Sequence, residues 1–468
     1  MAISLVLLPS AFLLYLFKTG PLSSSLLLLA FVVSAVGAIL LFKRKQYVSS
    51  LFVLAYLLMY FPNPFLIGLG ILDLERGTSD NLFALSNAML VVGIALFLLG
   101  TNVTKPRYGI PLSVRIYVSR QTISTVLVLL MALAIFAFFF TIAFGGGWAA
   151  LTAERAQYGR TWIRLTSVYM FMPFLAAAPL LITQLSGPLQ TMPWIFTIGI
   201  LLGNFFLFRA RTPLLTVMSS VAIGILLKNR VFFVYEQLAS ARFRAFRRYF
   251  FVAVLVPTIL VFGVTVNFLR GYISLGGVRL ARGFTRIWVE QTFDGGDLGY
   301  TKIQRASYVL FPRVHPFLMG QSYYRLLFVP VPRFLMPNKP ENTQRVFCSV
   351  IDPPMYWRGG TIPPGILGDL YINFGHLGVI GMFFFGLVFG RERYRKMWQW
   401  LVLGGCLTWL FHIVRGGFTN PVVTLIVYAA ISILLEHAIR PDYEIYEDVS
   451  TEEIGLGGPG LEVSETYL

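Results

Sequence analysis

Residues that carry chemistry are scarce in this chain. Its 468 residues include two cysteines, four histidines and 21 acids. Cys348 falls in a polar segment and Cys406 in an apolar one, so the pair suggests neither a disulfide framework nor a cysteine-based metal site. There is no glycine-rich phosphate loop, no dinucleotide fingerprint and no His-Glu-x-x-His. Direct use of ATP, nicotinamide chemistry and zinc hydrolysis through these motifs are therefore excluded, and no cofactor or metal is expected. Charged residues make up only 13% of the chain, against 56% hydrophobic residues and 42 Phe. An apolar excess of that size cannot be buried inside a soluble core.

The apolar residues are gathered into runs. A helix needs about 20 apolar residues to cross about 30 Å of hydrocarbon. Runs meeting or approaching that length are 2–17, 23–42, 49–72, 82–99, 122–144, 165–183, 194–208, 214–227, 249–268, 366–390, 398–413 and 422–435. The fold class expected is an all-α polytopic membrane protein of about twelve spans. The first run lacks the basic start and small-residue cleavage site of a signal peptide. No internal repeat is visible.

Lysine and arginine beside short loops set the orientation. They collect at Lys43-Arg44-Lys45, at Lys105, Arg107, Arg115 and Arg120, at Lys228 through Arg248, and at Arg391 through Lys396. With twelve spans all four clusters fall on one face, which places both termini in the cytoplasm. Residues 441–468 carry eight acids and no Lys or Arg, leaving +25 on the remainder of a chain whose net charge is +17. That segment is expected to be a disordered cytoplasmic tail. The division is then helices 1–9 in residues 1–270, a large outer loop in 271–365, helices 10–12 in 366–440, and the tail.

The outer loop has eleven basic residues, five acids and fifteen aromatics. Aromatic faces stack on sugar rings and guanidinium groups grip phosphates in pairs, so the mixture suits a glycan on a phosphate-bearing lipid. The same residues would also serve as an interfacial belt holding anionic headgroups. The loop is expected to fold as short helices on the membrane face. Two further arginine sites lie at the outer face: Arg209 and Arg211 before Thr212-Pro213, and Arg415 one helical turn after His412. Either a diphosphate clamp or snorkelling to lipid phosphate accounts for them.

The run Pro332-Arg333-Phe334-Leu335-Met336-Pro337-Asn338-Lys339-Pro340, then Pro363-Pro364 and Gly368-Asp369-Leu370-Tyr371-Ile372-Asn373-Phe374-Gly375-His376-Leu377-Gly378, resembles the O-antigen polymerase (Wzy type) family. The resemblance implies a GT-C-like, metal-independent glycosyltransferase of the bacterial inner membrane. Its donor and acceptor would be undecaprenyl-diphosphate-linked glycans. Membrane lipids, a chain-length regulator and a flippase would be its partners, with no nucleic acid. Carried over by motif, Arg333, Lys339, Arg209, Arg211, Arg415 and Tyr371 would bind diphosphate or substrate. Asp369 would bind an acceptor hydroxyl or act as base, and His412 is a second candidate base.

A ligase using the same donor and a lipid-linked-glycan flippase are the rival functions. A transporter should show two related halves and mid-membrane charges, whereas the charges here sit at span ends. The topology is testable with reporter fusions: one at Asp294 should report the outer compartment and one at Glu452 the inner. The same compartment at both sites would overturn the twelve-span arrangement.

Overall fold

The structure, a computed structural model, describes residues 19–44, 46–73, 79–104, 112–144, 172–183, 185, 191–208, 216–217, 220–221, 224, 231–232, 299–328, 336, 338–357, 360–391 and 397–447. Four helical stretches among these are long and apolar enough to cross a membrane: Pro21–Lys43, Tyr47–Gly68, Asp80–Val103 and Gly365–Phe389. Gln121–Phe136, Thr191–Leu201 and Thr424–Ile439 are shorter apolar helices. The first, eighth and ninth expected spans lie outside the described residues, apart from a few positions of the eighth.

Helix α1 (Pro21–Lys43) shows the solvent for which the fold is built. Its buried side is Ser23, Leu27, Ala30, Ser34, Gly37 and Leu41, whereas Leu29, Val32, Val36 and Ile39 face out. A soluble helix would do the reverse. With small and polar residues inward and large aliphatics outward, the helix suits a lipid surround, where association depends on close packing and interhelical hydrogen bonds. Ser23 accepts such a bond from Asn87 Nδ2 at 2.9 Å, on α4 (Asp80–Val103). At the opposite end Arg44 Nη1 donates to Asn102 Oδ1 at 2.6 Å, so α1 and α4 run in the same direction.

Between them returns α2 (Tyr47–Tyr60), continued after Phe61 by α3 (Pro62–Gly68), whose proline occupies the helix start where no donor is needed. Gln46 Nε2, just before α2, donates to the Gly390 carbonyl at 3.3 Å. Among the described residues, Lys43, Arg44 and Arg391, members of two basic clusters, therefore lie at one end of the bundle. A small sheet gathers more chain there: β1 (Leu112–Tyr117) pairs in parallel with β2 (Val231–Phe232) and antiparallel with β3 (Asp442–Glu447). The segment expected to be a disordered tail thus begins as a strand, with Glu444 opposite Arg115. Tyr443, Ile445 and Tyr446 favour extended structure, and the acids alternating with them do not prevent pairing.

Helices α5 (Arg120–Phe144), α6 (Met172–Ile182) and α7 (Thr191–Phe208) follow. The outer loop supplies α8 (Tyr300–Leu310), α9 (Gln321–Tyr324) with a 3₁₀ turn Arg325–Phe328, α10 (Thr343–Ile351) and α11 (Pro353–Trp357). Helix α8 does not lie on the membrane face as expected but is wedged among the spans. Gly299 N–H donates to the Met59 carbonyl, Thr301 Oγ1 to Asn63 Oδ1 at 3.0 Å, and the Arg305 guanidinium lies 4.3 Å from the Phe83 ring centroid. Arg305 is only 1% exposed.

The tenth expected span is not one straight helix. It consists of α12 (Gly365–Phe374), a 3₁₀ segment Gly375–Ile380 and α13 (Gly381–Phe389). In a continuous helix residues 370 and 381 would stand about 16 Å apart. Instead a Cβ on Gly381 would lie 2.5 Å from Leu370 Cδ2, so the chain doubles back. Gly375 makes the reversal with φ +62, a conformation open to glycine. Helix α12 is buried along nearly its whole length, and α13 carries the chain to the basic end. Then α14 (Met397–Gly416) climbs back and α15 (Thr419–Ile439) descends. Two apolar clusters form, one around α1–α4, α8 and α12–α13, the other around α5, α6 and α15. Helix α14 joins them, with Leu410, Ile413 and Val414 in the first and Leu401 and Leu403 in the second.

Helices α4 and α13 touch through glycine. A Cβ on Gly386 would collide with the Phe97 carbonyl oxygen, and one on Gly100 with that of Phe383. Gly386→Val should therefore lower stability by about 1–3 kcal/mol or more, read as a reduced melting temperature of the purified protein. A wild-type melting temperature would count against backbone contact between these helices.

Candidate functional site opposite the basic end of the bundle

Motif residues and loop residues meet where α12 passes beneath the turn between α14 and α15. Asp369, on α12, is 1% exposed. Tyr323, from α9, donates its hydroxyl to Asp369 Oδ2 at 2.7 Å. The Thr343 hydroxyl, at the start of α10, and the Phe418 backbone N–H are its other hydrogen-bond partners. Gly417 has φ +91, and a Cβ there would come within 2.5 Å of Asp369 Cγ, so only glycine lets the turn close over the carboxylate. Asn373, one helical turn on from Asp369 and on the same face, donates to the Asp369 carbonyl at 2.8 Å and to Thr343 Oγ1 at 3.3 Å. It accepts from Ser322 Oγ at 2.8 Å.

Helix α10 is secured on both sides. Asn342 caps it by accepting from Arg345 N–H at 2.9 Å. Gln344 Nε2 donates to the Gly416 carbonyl at 2.8 Å, and the Gln344 carbonyl accepts from Ile362 N–H. The Tyr323 ring lies between Phe374 (5.8 Å, near parallel) and Phe418 (6.4 Å). Burial, then the adjacent Asp369 carboxylate, pushes the Tyr323 hydroxyl well above its ordinary pKa, so it stays protonated and donates.

Arg415 ends α14 partly exposed, with Nε donating to Tyr300 Oη at 2.7 Å. Tyr300 is fully buried and its ring approaches Gly365. The guanidinium is thereby directed from the α14–α15 turn toward the α8–α12 junction. Arg415 thus comes directly before the Gly416-Gly417 turn, and Asp369 lies against Gly417. A cation and a carboxylate at one end of an apolar bundle suit the binding of an anionic group beside hydroxyls.

The remaining sequence candidates are placed as follows. Tyr371 is buried, donates to the Phe311 carbonyl at 3.1 Å and packs on Tyr308, Phe317 and His376. In this conformation it is a packing residue. His412 lies against Trp409, with ring centroids 5.0 Å apart. Lys339 is buried, in a turn where its N–H donates to the Met336 carbonyl. Arg209, Arg211 and Arg333 lie outside the described residues. Among the described residues no group of three or more His, Cys, Asp or Glu could hold a metal ion. Tyr300, Tyr323, Thr343 and Gln344 were not singled out by motif. Asn373 had a usable signal, since it stands four residues after Asp369 on a helix.

A double-mutant cycle tests the latch between loop and span. Tyr323→Phe and Asp369→Asn should each lower stability, with a coupling of about 1–3 kcal/mol because the donor meets a buried acceptor. Additive effects in thermal or denaturant unfolding would show that the two side chains do not depend on each other.

No protein-family model, characterised protein or solved structure matches the chain.

Proposed function

We propose that this chain polymerises undecaprenyl-diphosphate-linked oligosaccharide repeat units at the outer face of a bacterial cytoplasmic membrane. The protein would have twelve spans and cytoplasmic termini. The observation that carries the reading is that the Gly416-Gly417 turn follows Arg415 directly and closes over the buried Asp369, whose carboxylate is also held by the loop residue Tyr323.

The reaction needs no external energy source, because a lipid diphosphate is already a good leaving group. What it needs is positive charge on the departing diphosphate and at most one base for the acceptor hydroxyl. Arg415 supplies charge at the outer end, and Arg211 and Arg333 complete the clamp, since one guanidinium does not neutralise two phosphates. Arg209 and Lys339 add charge beside it. Asp369 binds the acceptor hydroxyl or takes its proton once Tyr323 moves aside, with His412 as the second candidate base. A chain-length regulator and a flippase are the partners such a polymerase would work with.

The test is to replace Arg211, Arg333 and Arg415 singly with lysine, which keeps charge but removes the planar fork. Polymer formation should fall on the order of 100-fold, the usual effect of losing one preorganised donor, with normal protein levels in the membrane. Cells should then display single repeat units instead of long chains. A failed flippase would leave no repeat unit outside, and a failed ligase would leave polymer on its lipid carrier. Normal polymer in all three variants would assign these arginines to lipid anchoring.

A further inference from the structure

Helix α9 and the turn after it have two unlike faces. Ser322 and Tyr323 point inward, bonded to Asn373 and Asp369. Met319, Tyr324 and Leu327 point outward and are 76%, 55% and 71% exposed. Large apolar residues this exposed on a short loop element require a partner, because leaving them in water forfeits their burial free energy.

The identity of that partner follows from what the element touches. A Cβ on Gly320 would lie 3.2 Å from the Phe374 ring, and that ring stacks on Tyr323. Phe374, at the end of α12, is itself exposed, as are Leu377 and Ile380 in the reversal and Phe384 and Val388 on α13. Phe384 and Val388 lie on α13, which packs against α4 on its glycine side, so their exposed side faces the lipid around the bundle. The outward face of α9 adjoins this exposed apolar side through Phe374, next to the reversal. Arg313, exposed, and Arg325, partly exposed, flank it. Apolar residues set between arginines at the end of a span are the composition of an element lying in the headgroup region of a bilayer, with the cations on lipid phosphate.

We infer that Met319–Phe328 is seated in the outer leaflet of the membrane, with Met319, Tyr324 and Leu327 resting in lipid while Tyr323, on the same short helix, shields Asp369 from it. Adjacent tyrosines thus face opposite ways, one toward lipid and one toward the buried carboxylate. The element forms the lateral wall between the bilayer and the polar cluster. This depends on the membrane setting alone and not on the reaction proposed above.

The experiment uses the full-length chain lacking Cys406, Cys348 being buried. Leu327→Cys and, separately, Met319→Cys are labelled with the fluorophore NBD and reconstituted into phosphatidylethanolamine–phosphatidylglycerol vesicles. Lipid carrying a nitroxide near its headgroup should quench both labels, and aqueous iodide should leave their emission almost unchanged. Quenching by iodide and not by the nitroxide lipid would place the element in water and overturn the inference. Quenching by neither would mean that protein covers the face, either a second copy or another part of the chain, and would overturn it equally. Two label positions keep the result independent of whether either cysteine disturbs its neighbours. No glycan enters the measurement, so its failure and that of the polymerase proposal are distinguishable.

Discussion

The half of the bundle opposite its basic end depends on one buried carboxylate. Placing Asp369 in an apolar bundle without partners would cost several kcal/mol, roughly, so its surroundings must supply donors. They come from three separate places in the chain: a side chain of α9, a side chain opening α10, and a backbone N–H in the α14–α15 turn. Each segment has little reason to adopt its position by itself. Helix α9 is four residues long, α10 nine, and the turn requires a left-handed Gly417. Satisfying Asp369 fixes all three, and Asn373 one turn later repeats the arrangement with Ser322 and Thr343. The outer loop is thereby part of the bundle and not a cover resting on it.

The rest of the architecture follows from the surrounding lipid. Between helices in hydrocarbon there is no hydrophobic gain to be had, so contacts must come from shape and from polar pairs. This accounts for Ser23 with Asn87, for Thr301 with Asn63, and for backbones pressed together at Gly100 and Gly386. The same rule explains why α8 can sit among the spans although it carries Gln304 and Arg305. Gln304 Nε2 donates to the Tyr308 hydroxyl at 2.6 Å, and Arg305 lies over the Phe83 ring. Protein surrounds these groups, so none of them faces lipid.

Composition alone made much of this legible. The positions of most described apolar helices, and the placing of Arg44 and Arg391 at one end, could be read from runs of apolar residues and from the residues that close them. The hairpin inside 366–390 could not, because an apolar run looks the same whether it crosses straight or turns back. The trace it leaves is the glycine set Gly375, Gly378 and Gly381, of which the first has positive φ and the others lie against Leu370. Helix α8 reads as a surface helix because its tyrosines, glutamine and arginine look polar, and burial is decided by partners far away in sequence. Asp369 stood out within its motif. Its main partner Tyr323 did not, being 46 positions upstream among many loop aromatics.

The geometry also bears on what Asp369 can do. A general base must reach the proton it removes and must have a lone pair free to receive it. Here the carboxylate accepts from Tyr323, Thr343 and the Phe418 N–H, and it is closed from solvent by the stacked rings of Tyr323 and Phe374. In this state it is therefore an anchor. Of its three donors, the Phe418 N–H belongs to a backbone turn and Thr343 to a capped helix braced through Gln344. Tyr323 alone sits on a single helical turn at the edge of the structure, so the least costly way to free an oxygen of Asp369 is to move α9. Arg415, just before Gly416-Gly417 and partly exposed, donates instead to Tyr300 on α8. Under the proposed function, charge recognition would fall to Arg415 and hydroxyl recognition to Asp369, and the second would require the loop to give up its own hydroxyl.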